Sequence, residues 1–157
     1  GYRMSHVATV DVQIKDLDCL RKACSRLGLE WKENQSTFKW FGRWMNDYAA
    51  QDAAYKHGFK PENYGKCSHA IGVAGNTSAY EIGVVAKEDG SFGLLWDFYR
   101  GGYGLMECVS SEANKEGVGK LLQAYAIEVA KKSAKKQGFA VKEVLGSNGQ
   151  VKLQLSK

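Results

Sequence analysis

Nowhere in this sequence do about 18 apolar residues run together, which excludes a helix that spans a bilayer, and the first residues lack the long apolar core of a secretory signal. A cytoplasmic protein with no membrane contact is therefore expected. The four cysteines, Cys19, Cys24, Cys67 and Cys108, form no C-x-x-C pair. Cys19 and Cys24 lie on one expected helix but point to different faces, so reduced structural thiols are expected rather than a local disulfide.

Complete catalytic and metal motifs are missing too. Glu116-Gly117-Val118-Gly119-Lys120 superficially resembles a phosphate loop, but Asn114 stands where G-x-x-x-x-G-K-[ST] needs its first glycine, and Leu121 stands where it needs a hydroxyl. What survives is a helix N-terminus whose free N–H groups, with Lys115 and Lys120, could bind an anion, set against the plainer reading of an ordinary flexible helix start. Histidine is scarce. His6 and His57 have no partner at ligand spacing, while Cys67 and His69 share a face if both lie on a strand. Two ligands are not a zinc site, so no metal and no cofactor is expected. Cys67 or Cys108, His69 or His57, and Asp97 are the ingredients of nucleophilic catalysis, but neither a G-x-S-x-G elbow nor a cysteine-nucleophile signature arranges them. A non-enzymatic protein is the leading expectation, with an enzyme using Cys67, His69 and Asp97 left open as an alternative.

What is present describes an ordinary globular chain. At 157 residues it falls in the single-domain range, and one domain over 1–157 is expected. Hydrophobic content of 44% against 25% charged is enough for one sizeable core rather than a disordered tail. A net charge of +5 favours an anionic partner, although Lys131, Lys132, Lys135 and Lys136 crowd one helix end, where cations oppose the negative pole of the macrodipole.

Periodicity predicts an α+β fold: an antiparallel sheet of about six to eight strands with two packed helices, the longer near the C-terminus. Val10, Val12 and Ile14 alternate with polar residues as a first strand over 10–15. Asp16 or Asp18 then caps a helix striped by Leu17, Leu20, Ala23, Cys24 and Leu27 and closed by Gly28. Residues 29–33 and 37–44 are expected as a hairpin across Asn34, Gln35 and Ser36, with Phe38, Trp40 and Trp44 on one face and Lys39, Phe41 and Arg43 on the other. Residues 46–66, punctuated by Gly58, Pro61, Asn63 and Gly65, are expected as a long functional loop.

Strands over 68–73, 80–85 and 92–99 form an expected meander, the last placing Asp97 and Tyr99 on one face and Trp96 and Phe98 in the core. A long helix over 116–137, stopped by Gly138 with Phe139 packing back, precedes a hairpin over 141–145 and 150–155.

The most unusual stretch is Trp96-Asp97-Phe98-Tyr99-Arg100-Gly101-Gly102-Tyr103-Gly104. Glycines let a backbone approach a ligand closely, Tyr99 and Tyr103 can stack on planar groups, and Arg100 can bind phosphate. Lys39, Phe41 and Arg43 add similar chemistry, and His69 can hydrogen-bond. The candidate ligand-binding set is therefore Lys39, Phe41, Arg43, His69, Asp97, Tyr99, Arg100 and Tyr103, directed at a small anionic, nucleotide-like ligand.

Several of these stretches resemble a small domain of unknown function found in bacteria and their phages, with a relative encoded in some algal plastids. The resemblance rests on Met4-Ser5-His6, Ile14-Lys15-Asp16-Leu17-Asp18-Cys19-Leu20, Gly65-Lys66-Cys67-Ser68-His69-Ala70-Ile71 and Tyr80-Glu81-Ile82-Gly83-Val84-Val85. It continues through Leu94-Leu95-Trp96-Asp97-Phe98, Gly101-Gly102-Tyr103-Gly104-Leu105, Leu122-Gln123-Ala124-Tyr125-Ala126 and Gln137-Gly138-Phe139. Gly1-Tyr2-Arg3 would then lie upstream of the fold. The resemblance implies no activity and no catalytic residue. It implies a phage or bacterial accessory protein, and gene neighbourhood in that family implies an AAA+ ATPase as a protein partner. The main expectation is a binding module that sequesters its ligand. An adaptor docking an AAA+ ATPase is the alternative, and single-stranded nucleic-acid binding by stacking is a further one. A homo-oligomer is left open.

Overall fold

A computed structural model of the protein describes residues 7–10, 13–40, 65–147 and 150–157. Phe41, Arg43, Trp44 and the expected loop up to residue 64 lie outside the described residues. In chain order the elements are β1 (Val7–Thr9), α1 (Leu17–Arg26), β2 (Leu29–Lys32), β3 (His69–Val73), β4 (Ile82–Ala86) and β5 (Phe92–Asp97). A tight turn (Tyr99–Gly104), α2 (Leu105–Val109), α3 (Gly119–Lys136), β6 (Ala140–Leu145) and β7 (Val151–Ser156) follow.

The class is α+β with an antiparallel sheet, and the strands are divided between two sheets: five in the order β1-β5-β4-β3-β2, and β6 with β7 apart from them. The meander of β3, β4 and β5 is as the periodicity predicts, with Ile71 opposite Ile82 and Val84 opposite Leu94. Of the expected first strand, Asp11 and Val12 lie outside the described residues. β1 pairs Thr9 with Leu95, whereas Ile14 makes a single bridge to Phe92, so the register slips by two residues between them. Ile14 is fully buried because the chain must tuck in before α1 begins.

α1 starts where expected. Asp16 has an extended backbone and its Oδ1 accepts from Cys19 N at 3.0 Å, satisfying one of the free amides of the first turn. The helix buries Cys19, Leu20, Ala23 and Cys24, and Gly28 leaves it at φ 70°. α3 closes on Gly138 at φ 91°, with Phe139 N donating back to Ala134 O. Leu20, Ile71, Ile82, Val84, Leu94, Trp96, Leu105, Val109 and Leu121 join the helices to one sheet face in a single cluster. Each such side chain, fully buried, contributes about 1.5 to 3 kcal/mol.

The other sheet face corrects the expected hairpin. Residues 37–40 do not pair with β2, whose strand partner is β3. They cross the opposite face instead, where Phe38 packs with Ala70 and Leu95. Gly83 makes this possible: a Cβ there would lie 2.4 Å from Phe38 Cδ1. The segment is pinned by Phe38 N to Gly65 O, Cys67 N to Ser36 O and a Thr37–Lys66 bridge. A bulky ring with a glycine floor to fill outweighs the turn signal of Asn34-Gln35-Ser36.

The β6–β7 hairpin is tied to the helices by charge. Glu143 Oε1 accepts from Arg26 Nη2 at 2.7 Å and its Oε2 from Lys131 Nζ at 2.7 Å, while Arg26 Nη1 also reaches the buried Glu128 at 3.0 Å. Hydrogen bonds from Arg26 and then Lys131 hold the Glu143 carboxyl down at about 2. Lys132, paired with Asp16 at 2.6 Å, does the same for that carboxyl. Two of the four clustered lysines thus serve as tethers.

Candidate functional site

β5 ends at Asp97, two residues short of the Tyr99 that the alternation placed on the same face. Asp97 is fully buried, and its Oδ1 accepts from Tyr99 N at 2.9 Å, turning the chain out of the sheet. Arg100, Gly101, Gly102 and Tyr103 then have φ of 49°, 65°, 60° and 53°, a left-handed turn in which only the middle two residues are glycine. For the two others this backbone costs about 1 to 2 kcal/mol apiece.

The surroundings hold the turn in that shape. Gly102 O accepts from Tyr80 N at 2.8 Å, and Tyr103 O from Asn76 Nδ2 at 3.2 Å. Asn76 uses its other side-chain atom to accept from Ser78 N and Ala79 N, so one amide fastens two loops together. The Tyr103 ring meets Tyr80 edge-on at 5.1 Å. Gly102 is required by space as well as by φ, since a Cβ would lie 3.0 Å from Leu105 Cβ and 3.2 Å from Asp97 O. With each hydrogen bond contributing about 1 kcal/mol, these contacts offset the strain.

The turn presents Arg100 and Tyr103 to solvent, Tyr103 at 43% exposure. Arg100 stacks its guanidinium 5.6 Å from the centre of the half-buried Tyr99 ring. Lys39 joins the same neighbourhood indirectly: its Nζ donates to Thr77 O in the loop that Asn76 organises. Its backbone is locked on both sides by Glu81, with Lys39 N to Glu81 Oε1 at 2.8 Å and Glu81 N to Lys39 O at 2.9 Å. Burial alone would raise the Glu81 carboxyl, but hydrogen bonds from Lys32 Nζ and Lys39 N outweigh it and hold it below the ordinary range. Burial, then the nearby Asp97, pushes the Tyr80 hydroxyl up to about 12, so it stays a neutral phenol.

Of the sequence-predicted residues, Asp97, Tyr99, Arg100 and Tyr103 therefore belong to one edge, with Lys39 alongside. Phe41 and Arg43 lie outside the described residues. His69 is elsewhere: it opens β3 level with Val84, its ring 5.2 Å from Trp31 and 6.3 Å from Phe92, and its Nδ1 accepts from Asn34 N at 3.0 Å. That bond fixes the Nε2–H tautomer and holds Asn34 at φ 59°.

Cys67 and His69 do not share a face, because Ser68 is a bend and β3 begins only at His69. Cys67 packs with the Phe38 cluster and donates to Gln35 O at 3.1 Å, and burial pushes its thiol up to about 11. A thiol held that high is a poor nucleophile. Among the described residues no group of three or more His, Cys, Asp or Glu is placed to hold a metal ion, and no described helix is long and apolar enough to cross a membrane.

Asn76 and Tyr80 were missed by sequence reasoning as parts of this edge. Asn76 carried a signal, since an asparagine two residues before a serine is Asx-turn chemistry, but the turn's second partner is distant in the chain. No protein-family model, curated protein or solved structure matches this chain.

Proposed function

We propose that the protein is a non-enzymatic binding module for a small planar anion of nucleotide-like chemistry, taken at the edge formed by Lys39, Tyr99, Arg100 and Tyr103. The observation that carries this reading is the left-handed backbone at Arg100 and Tyr103, residues that avoid it, held by Tyr80, Asn76 and Asp97. Strain of this kind persists where surrounding contacts over-determine it and concentrates at ligand clamps. Here it orients one guanidinium and two phenol rings, which suit phosphate and a planar base respectively. Among the described residues the Arg100 guanidinium is held by the Tyr99 phenol rather than by a carboxylate, which leaves its charge for a ligand. In a phage or bacterial setting such a module would sequester a signalling nucleotide.

Native mass spectrometry of the protein purified from cells, with a thermal-shift screen against a nucleotide panel, tests the reading. Bound nucleotide mass or a shift of several degrees, lost in Arg100→Ala and in Tyr103→Ala, is expected. A clean apo mass with no shift across the panel would overturn it.

A further inference from the structure

The protein's positive charge is segregated. Residues 119–157 contain eight lysines, no arginine and two acids, a net of +6, so the rest of the chain carries −1 of the total +5. Part of that charge is neutralised, Lys131 by Glu143 and Glu128 and Lys132 by Asp16. Lys142 and Lys152 are not: no described carboxylate lies within ion-pairing distance of either.

Their orientation follows from the register. Glu143 faces the helices, since it bonds Arg26 and Lys131 there. Strand alternation therefore turns Lys142 and Val144 away from the helices, and with them the residues directly opposite, Gln154 and Lys152. Lys142, Lys152 and Gln154 are exposed and Val144 is half-buried. The apolar residues of β7, Val151, Leu153 and Leu155, are on the other side. The result is a two-stranded ribbon with a solvent-facing side that is polar, basic and free of aromatic groups.

We propose that this side of the β6–β7 ribbon docks the phosphate backbone of double-stranded nucleic acid. Charge complementarity selects a polyanion over a second copy of the chain, which would set lysine against lysine. A two-stranded ribbon is narrow enough to enter a major groove. The absence of rings on this side of the ribbon argues against single strands, which bind by stacking. An acidic protein segment would be expected to seek an apolar anchor, and on this side the strands offer only the half-buried Val144 and the small Ala140. Lysine without arginine suits sequence-independent contact by point charges. The surface is separate from the 99–104 edge and stands whether or not that edge takes a nucleotide.

Fluorescence anisotropy of the full chain with a labelled duplex of about 20 bp, at about 50 and about 200 mM salt, tests this. Binding in the micromolar range at low salt is expected, weakening steeply with salt. The double variant Lys142→Gln with Lys152→Gln should bind at least about ten-fold more weakly and flatten the slope of log K against log salt by about 2, one unit per phosphate contact. Both changes sit on an exposed face, and an unchanged melting temperature checks that the fold survives. No binding at low salt, or binding whose strength and slope the double variant leaves unaltered, would overturn the proposal. So would single-stranded DNA or polyglutamate bound as tightly as the duplex, the second pointing to an acidic protein partner instead.

Discussion

The 99–104 turn and the β6–β7 ribbon both stand at the surface and both present cations, yet the chain secures them by different forces. The turn is held by neutral hydrogen bonds from Tyr80 and Asn76, by the Asp97 cap and by Gly102 lying against Leu105. The ribbon is tied to the helices by Glu143 and its two cationic partners beside the half-buried Val141, Val151 and Leu153, with Leu145 and Leu155 left 74% and 48% exposed. An isolated hairpin is marginal in water, so its attachment depends on those charges. Packing gives a rigid edge that ignores salt. Ion pairs give an attachment that salt and acid loosen.

The comparison can be broken most severely at Gly102. Gly102→Ala adds a Cβ against Leu105 and the Asp97 carbonyl at a φ of 60°, and should cost about 2 to 4 kcal/mol from left-handed strain and overpacking together. Urea denaturation reads this directly. A loss below about 0.5 kcal/mol would mean the turn is not wedged as described.

On the ribbon side the corresponding change is Arg26→Ala. It removes both bonds to Glu143 and, among the described residues, leaves the 7%-exposed Glu128 with Lys131 alone, at 3.5 Å. The expected cost is about 1 to 2 kcal/mol, between the values for exposed and buried pairs. Hydrogen exchange should show it as faster exchange at β6 and β7 with β3 to β5 unaffected. Uniform acceleration through both sheets would show that the ribbon is not a separate unit.

Acid should act more gently, on that attachment through Glu143 and on the contact between α1 and α3 through Asp16. The Glu143 and Asp16 carboxyls are depressed to about 2 by their cationic partners. Their stabilisation is thus fully present above the ordinary carboxylate range and is lost as pH falls from about 4 toward 2. After allowance for partial exposure, about 1 kcal/mol should disappear across that window. Ribbon amides should lose protection over that range before those of the five-stranded sheet. Glu143→Gln should remove most of the difference.

How much of this was legible in the sequence depends on the range of the forces involved. The Asp16 cap, the stop at Gly138 and the β3–β4–β5 meander are local, set by residues within one turn or one strand, and the pattern shows them. The path of residues 37–40 is not local, because Phe38 goes where Gly83 leaves room, more than forty positions away. Division into two sheets is equally hidden, since β6 and β7 have the same alternation whether or not they join the larger sheet. At the candidate edge the glycines marked the segment and Arg100 and Tyr103 its chemistry. Their left-handed backbone did not show, because Tyr80 and Asn76 impose it across the fold. That His69 lies apart from the turn did not show for a similar reason: its Nδ1 accepts from the bend at Asn34.

The smallest expected effect separates strain from function at the edge. Arg100→Gly relieves about 1 to 2 kcal/mol of left-handed strain, loses about 0.5 to 1 to glycine's backbone entropy and forgoes about 0.5 of stacking on Tyr99. The net should be near zero or a gain of about 0.5 kcal/mol. Arg100→Ala keeps the strain and loses the stacking, so it should be the less stable of the two by about 1 kcal/mol. Both remove the guanidinium and should abolish nucleotide retention equally. A glycine variant that is as stable as the parent yet empty would show that the strained arginine is kept for what it holds. If the glycine variant falls below the alanine variant in stability, φ at position 100 is not strained and the case for a built ligand edge is lost.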